Sequence, residues 1–277
     1  IFKNIDWVLF LCIIPILLAG LGALWPLTGE TALFNKQIIS IIVGISMLLS
    51  ERKHDSDEPD TKDVIRALLV AAVPIALILL QPDMGTVFII SIAVVTILGV
   101  SGASSKWVIG LLLIALLGGV GASKAGVISE YQVKRLQSFV DPNADSQGAG
   151  YQLRQARITV GSGGFLGTGL FNGPQTNGRF VPEQQTDFIF TVAGEELGFV
   201  GSSLILILYT VILMRAFAIA RRSNDPYGRL VSAGVAAWFA FQAFENIGMT
   251  LGLMPMTGVP LPFMSYGGSS MFATLIG

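Results

Sequence analysis

Apolar residues run along this chain in long unbroken stretches, separated by short polar breaks and one long one. The stretches are Trp7–Trp25, Leu33–Leu49, Val64–Leu80, Met84–Ser101, Trp107–Ala122, Val200–Ala220 and Leu230–Leu253, with a last one starting near Ser265 and stopping at Gly277, short of a full crossing. A bilayer core of about 30 Å takes roughly 20 apolar residues in helix, which these lengths match. Continuous runs exclude a membrane barrel, whose strands alternate. The predicted fold class is all-α: a polytopic integral membrane protein of about eight visible spans. The first run is longer than a signal-peptide core and no small-residue cleavage site stands out, so it reads as a retained helix.

Basic residues in the short loops give the orientation. With Lys3 and the N-terminus in the cytoplasm, the loop carrying Arg52, Lys53, Lys62 and Arg66 faces inward, as do Lys106 and the stretch with Arg215, Arg221, Arg222 and Arg229. On the opposite side, Gln81–Asp83 and Met254–Met264 hold no basic residue. The long polar segment 123–187 then lies outside, an extracytoplasmic loop within a single domain spanning 1–277. A structureless connection this long is uncommon unless functional. Its Gly161-Ser-Gly-Gly and Gly167-Thr-Gly predict tight turns and close backbone approach. Tyr151–Thr159 predicts a short interfacial helix with Arg154 and Arg157 on one face. Glu51–Asp63, dense in charge, reads as a solvated cytoplasmic linker.

Composition agrees with lipid as the solvent: 52% of residues are hydrophobic and 13% charged, against about 25% charged in soluble domains. The net charge of -1 argues against nucleic acid, which calls for a concentrated basic face. The single cysteine, Cys12, lies in an apolar run and has no internal disulfide partner. The single histidine, His54, lies in the charged linker. Metal sites of His/Cys type and mechanisms needing a histidine base are thereby excluded, whereas a divalent cation held by carboxylates stays open.

Candidate chemistry gathers where the long loop meets apolar sequence. Asp187 precedes Phe188-Ile-Phe, and a carboxylate at a low-dielectric edge tends to a raised pKa, suited to proton transfer near neutral pH. The alternative is a cap for a helix starting at Phe188. Glu195 and Glu196 lie deeper, where ionisable groups face polar cavities by default; the alternative is an ion pair with a loop arginine. Gly194, Gly198 and Gly201 are spaced for close helix packing. Asp83 sits in a short turn and reads as a helix cap or a site residue. Glu245 and Asn246 fall inside a span, where a carboxylate needs a partner or a cavity. Lys134, Arg135, Arg154 and Arg157 are either exposed loop charges or binders of a phosphate-bearing ligand.

Several stretches taken together resemble the SEDS family (shape, elongation, division and sporulation), its rod-shape branch more than its division branch. They are Gln81-Pro-Asp-Met-Gly-Thr, Asp141-Pro with Gly150-Tyr-Gln, Gly161-Ser-Gly-Gly-Phe-Leu-Gly-Thr-Gly-Leu, Val181-Pro-Glu-Gln-Gln-Thr-Asp-Phe-Ile-Phe with Glu195-Glu-Leu-Gly, and Asn246-Ile-Gly-Met through Pro260-Leu-Pro-Phe-Met-Ser-Tyr-Gly-Gly-Ser. The resemblance implies a glycosyltransferase of the bacterial cytoplasmic membrane that polymerises lipid II into peptidoglycan strands beside a class B penicillin-binding protein. The family's essential acidic residue falls on Asp187, as the base of an inverting transfer. Arg154, Arg157 or a divalent cation (Mg or Mn) would meet the departing diphosphate, with Lys134, Arg135 and Glu196 as further substrate-binding candidates. A competing reading is a lipid II flippase built around Glu245 and Glu196 near the midplane; a third is a scaffold without chemistry. The family has ten spans, and the third and fourth, with a Gln-Pro-Ser-Glu motif, have no counterpart here. The sequence passes from Ile38–Leu49 straight into the charged linker, which predicts either a discontinuity near residues 45–59 or a chain that is shortened there.

Overall fold

The apolar runs become helices that bury one stripe and leave the rest to lipid. A computed structural model describes residues 31–50, 59–80, 83–124, 130–141, 145 and 148–266. Among the described residues the elements are all helical: α1 (Thr31–Ser50), α2 (Thr61–Leu79), α3 (Met84–Val100), α4 (Ser105–Lys124), α5 (Glu130–Val140), α6 (Ala149–Ser162), α7 (Pro174–Asn177), α8 (Ile189–Arg222) and α9 (Pro226–Leu251). The predicted spans Trp7–Trp25 and that beyond Ser265 fall largely or wholly outside the described residues. The same holds for the expected discontinuity past Ser50; from Ile45 to Ser50 the helix is unbroken.

Ile38, Ile41, Ile42, Ile45 and Leu49 form the stripe by which α1 enters the main core, the i, i+3, i+4, i+7 spacing of one helix face. Val64, Ala67, Ala71 and Ile78 of α2 join it, with Ile89, Ile90, Val94 and Ile97 of α3. The centre is α9, which packs against α1, α3, α6 and α8. Its fully buried Trp238 lies 4.7 Å from the ring of Phe239, which meets Phe263 edge-on at 5.3 Å. Outward faces are apolar too: Leu69 and Val73 of α2, Leu112 and Leu116 of α4, and Leu204 and Ile207 of α8 are all exposed. So much contiguous apolar surface belongs against lipid. At 34 residues α8 is long enough to cross a membrane, at about 1.5 Å per residue.

Two expectations change. The span predicted from Val200 begins instead at Ile189, so Glu195 and Glu196 lie in the helix. Polar residues hid its first three turns, and Gly198, at φ 65 and ψ -163, kinks it. The described residues of 123–187 carry α5, α6 and α7, and the helix predicted over Tyr151–Thr159 extends to Ala149–Ser162.

The segment after α6 is laid against that kink by main-chain bonds. Thr168 and Gly169 amides donate to the Glu195 and Glu196 carbonyls (3.0 and 3.1 Å), and the Phe199 and Val200 amides donate to Gly164 and Phe165 (2.9 and 3.2 Å). The kink frees helix groups that the loop then satisfies, as buried backbone requires. Contact is so close that a Cβ on Gly167 would stand 2.1 Å from the Glu196 carbonyl oxygen. Phe165 stacks on Phe199 at 5.8 Å, while Leu166, Leu170 and Phe171 stay exposed.

The docking gives a test. Gly167→Ala should lower unfolding stability in detergent by about 2–3 kcal/mol, from a left-handed backbone and a main-chain clash together. Gly164→Ala, also at positive φ but with open space around it, should lose only about 1–2 kcal/mol. Equal losses would show that the Gly167 contact does not hold the loop.

Candidate functional site

The site forms where the turn before α8 meets the non-helical chain after α9. In the turn, the amides of Asp187 and Phe188 both donate to the Glu183 carbonyl (3.0 and 3.2 Å). Val181 and Phe188 seat the turn in a small core with Leu153, Ala156, Met249 and Met256. After α9, Gly252 adopts the left-handed cap conformation at φ 72 and the chain continues without helix. Non-helical backbone in this setting must be satisfied by neighbours, and α9 supplies them. Gln242 donates to the Pro260 carbonyl at 2.8 Å. Asn246 donates from one nitrogen to the carbonyls of Val259 and Asp187, each at 2.7 Å.

Further ties close the arrangement. The Ser265 hydroxyl accepts from the Leu261 amide at 2.7 Å and donates to the Thr186 carbonyl at 2.5 Å. The Tyr266 amide donates to the Gln185 carbonyl at 2.8 Å, and the Tyr209 hydroxyl of α8 donates to the Pro262 carbonyl. On the other flank, a Cβ on Gly85 of α3 would come within 2.6 Å of Val259. Asp83, just before it, caps α3 by accepting from the Thr86 amide at 3.1 Å.

The Asp187 carboxyl is left half-buried and unused by the helix: the residue at the cap position is Phe188, and no side chain caps α8. Gly258, at φ 77, makes room between charges, since a Cβ there would lie 3.2 Å from Asp187 Oδ2 and 3.7 Å from Arg135 Nη1. Arg135, on α5, also donates to the Met256 carbonyl at 3.4 Å. Burial, reinforced by the Glu183 carboxylate, pushes the Asp187 pKa up to about 6 against the opposing pull of Arg135 and the Thr186 hydroxyl. A group so tuned exchanges a proton near neutral pH.

The structure sorts the other candidates. Arg135 is the cation whose charge acts on Asp187. Arg157 instead donates to the Gly252 carbonyl at 2.9 Å, where the negative end of α9 attracts a cation. Arg154 is half-buried on the same helix α6, and Lys134 is exposed on α5. Glu196 is buried in α8 beside Glu195. Glu195 accepts from the Ser162 hydroxyl (3.2 Å), the Gln175 and Thr176 amides (2.8 and 2.7 Å) and the Thr176 hydroxyl (2.6 Å). It holds α6, α7 and α8 together. Among the described residues no three His, Cys, Asp or Glu side chains converge in a group that could hold a metal. Sequence reasoning missed the Asn246 clamp and the choice of Arg135; a buried amide i+4 from another, Gln242, was the available signal for the first.

The model of the FtsW/RodA/SpoVE cell cycle protein family matches residues 34–277. The chain is 36% identical over 219 residues to the peptidoglycan glycosyltransferase MrdB of Escherichia coli (strain K12), covering 79% of this chain and 59% of that protein. It thus spans less than two thirds of that relative's length. Among solved structures it is similar to a chain from a study of polymerization and crosslinking by a peptidoglycan synthase complex, with TM-score 0.74 and 28% identity over 99% of this chain and 80% of that one. The Thermus thermophilus rod shape determining protein RodA gives TM-score 0.61 and 26% identity over 98% and 77% of the two chains.

Asn246→Leu would leave the Asp187 and Val259 carbonyls without their donor. It should cost about 2–4 kcal/mol by thermal unfolding in detergent, and Asn246→Asp should not restore it, because a carboxylate repels both carbonyl oxygens. A Leu variant as stable as the parent would contradict the clamp.

Proposed function

Because this chain belongs to the FtsW/RodA/SpoVE family of cell cycle proteins, we propose that it is a peptidoglycan glycosyltransferase that extends glycan strands from lipid II. The observation carrying the reading is Asp187: a carboxyl raised to about 6, with its backbone clamped by Asn246, beside a lipid-facing helix. Lipid-tailed substrates would present their sugars at this level. The acceptor hydroxyl attacks the donor's anomeric carbon as its proton passes to Asp187, and the bond to the diphosphate breaks with inversion. Arg135 keeps Asp187 ionised and oriented. Lys134, Arg154 and Arg157, carried on α5 and α6, supply the positive field that a departing diphosphate needs. Glu196 is retained as a buried orienting group.

The same reading places the protein in the bacterial cytoplasmic membrane, N-terminus inside and residues 123–187 outside, in one domain. A class B penicillin-binding protein is the proposed partner. The likeness to a chain of a peptidoglycan synthase complex supports it.

Asp187→Asn keeps shape and hydrogen bonding but removes the proton acceptor. Strand formation from purified lipid II should fall by about 10²–10⁴-fold, while detergent chromatography shows an unchanged folded peak. Polymerisation near the parent rate would remove Asp187 from the mechanism.

A further inference from the structure

The face of α9 that carries the Asp187 clamp, Asn246, also turns inward two polar groups that the transfer does not use, Gln242 and Glu245. Gln242, Glu245 and Asn246 are 1%, 2% and 0% exposed. Their i, i+3, i+4 spacing places them on one helix face, within about 6 Å along its axis. The two amides address the same short stretch of chain. Gln242 donates to Pro260 and Asn246 to Val259, and Thr257 lies two residues before Val259 on the same stretch.

Those donations fix the two amides. With both nitrogens committed to carbonyls, Gln242 Oε1 and Asn246 Oδ1 are left as acceptors. Together with both Glu245 oxygens and Thr257 Oγ1, they are buried without a hydrogen-bond partner among the described residues. The set is thus five oxygens, four of them able only to accept, contributed by one face of α9 and by Thr257. Leaving a buried acceptor unmet is destabilising, more so when it is charged. A proton on Glu245 would provide one donor and leave the others unmet. A divalent ion would leave an excess buried charge, which is costly in this medium. One singly charged, oxygen-seeking ion balances the charge and coordinates several oxygens at once. Unwound backbone beside a helix is also where membrane proteins hold such ions.

We propose that Glu245, with Gln242, Asn246 and Thr257, binds a monovalent metal cation, Na⁺ or K⁺, between α9 and residues 257–260. The site adjoins the catalytic one through two shared pieces: Thr257 precedes Gly258, which separates Asp187 from Arg135, and Asn246 carries the Asp187 carbonyl. An ion there stiffens the chain after α9, which Asn246 ties to the turn carrying Asp187. Ion binding is read without substrate, so it stands or falls separately from the transferase reading.

The test uses the full chain in nanodiscs of neutral lipid, unfolded thermally in NaCl, KCl or choline chloride at equal ionic strength, with retention of radiolabelled sodium measured in parallel. Na⁺ or K⁺ should raise the midpoint by about 2–4 °C in a saturable manner, and choline should not. Glu245→Gln should abolish the ion response. Thr257→Val, which removes one oxygen and keeps the shape, should raise the half-saturating concentration by about 5–10-fold. Identical unfolding of the parent in all three salts overturns the proposal, as does a response that survives Glu245→Gln. Should Glu245→Gln fail to fold, an unmoved half-saturating concentration in Thr257→Val overturns it equally.

Discussion

One side-chain amide holds the site together. Asn246 reaches from the middle of the molecule to the carbonyls of Asp187 and Val259, joining the turn before α8 to the chain after α9. Both strips of chain are non-helical, so their carbonyls need donors from outside a helix. The amide satisfies them at fixed distance, so the position of the Asp187 carboxyl follows from the position of α9. That helix is in turn set by the core it shares with α1 and α3. Burial of apolar stripes, worth roughly 25 cal/mol per Å² where it removes surface from water, does less inside lipid; interlocking shape and satisfied polar groups carry more of the specificity there.

A second device brings the polar loop to the same place. Glu195 is fully buried, and its charge is met by amides and hydroxyls of α6 and α7. Burying a carboxylate is costly unless it is richly hydrogen-bonded, and this one is. The arrangement commits the loop to α8 in one geometry. The main-chain bonds across the Gly198 kink reinforce it. With the loop so placed, α5 presents Arg135 towards Asp187 across Gly258. Helix, kink and loop therefore act together to set a guanidinium beside a half-buried carboxyl.

Much of this was legible in the residues, though unevenly. The apolar runs predicted α2, α3, α4 and α9 to within a few residues, because a span must be long and continuous whatever it packs against. The start of α8 was hidden, since the Gly-Glu-Glu-Leu-Gly stretch reads as polar until Glu195 is seen to be satisfied. Asp187 was visible as a carboxylate at a hydrophobic edge, but capping could be told from chemistry only by the backbone, which puts Phe188 at the cap. The choice among Lys134, Arg135, Arg154 and Arg157 could not be made from spacing. It depends on how α5 and α6 fold back: α6 delivers Arg157 to the end of α9, and α5 delivers Arg135 to the gap at Gly258. That is tertiary information with no local signature.

If Asp187 transfers the proton, catalysis must follow its ionisation. The base is competent only when deprotonated, so the rate of strand formation from lipid II should climb as pH rises through about 6 and then level off. Arg135 lowers that pKa by its charge, so Arg135→Gln should move the rising limb to higher pH while the plateau at alkaline pH is better preserved than the rate near neutrality. The most direct measurement is therefore the pH–rate profile of the parent and Arg135→Gln between about pH 4.5 and 8.5 under single-turnover conditions. A limb near 6 that shifts upward in the variant is the predicted result; a profile flat through 6, or one that Arg135→Gln lowers uniformly without moving it, contradicts the assignment of Asp187 and Arg135 as a working pair.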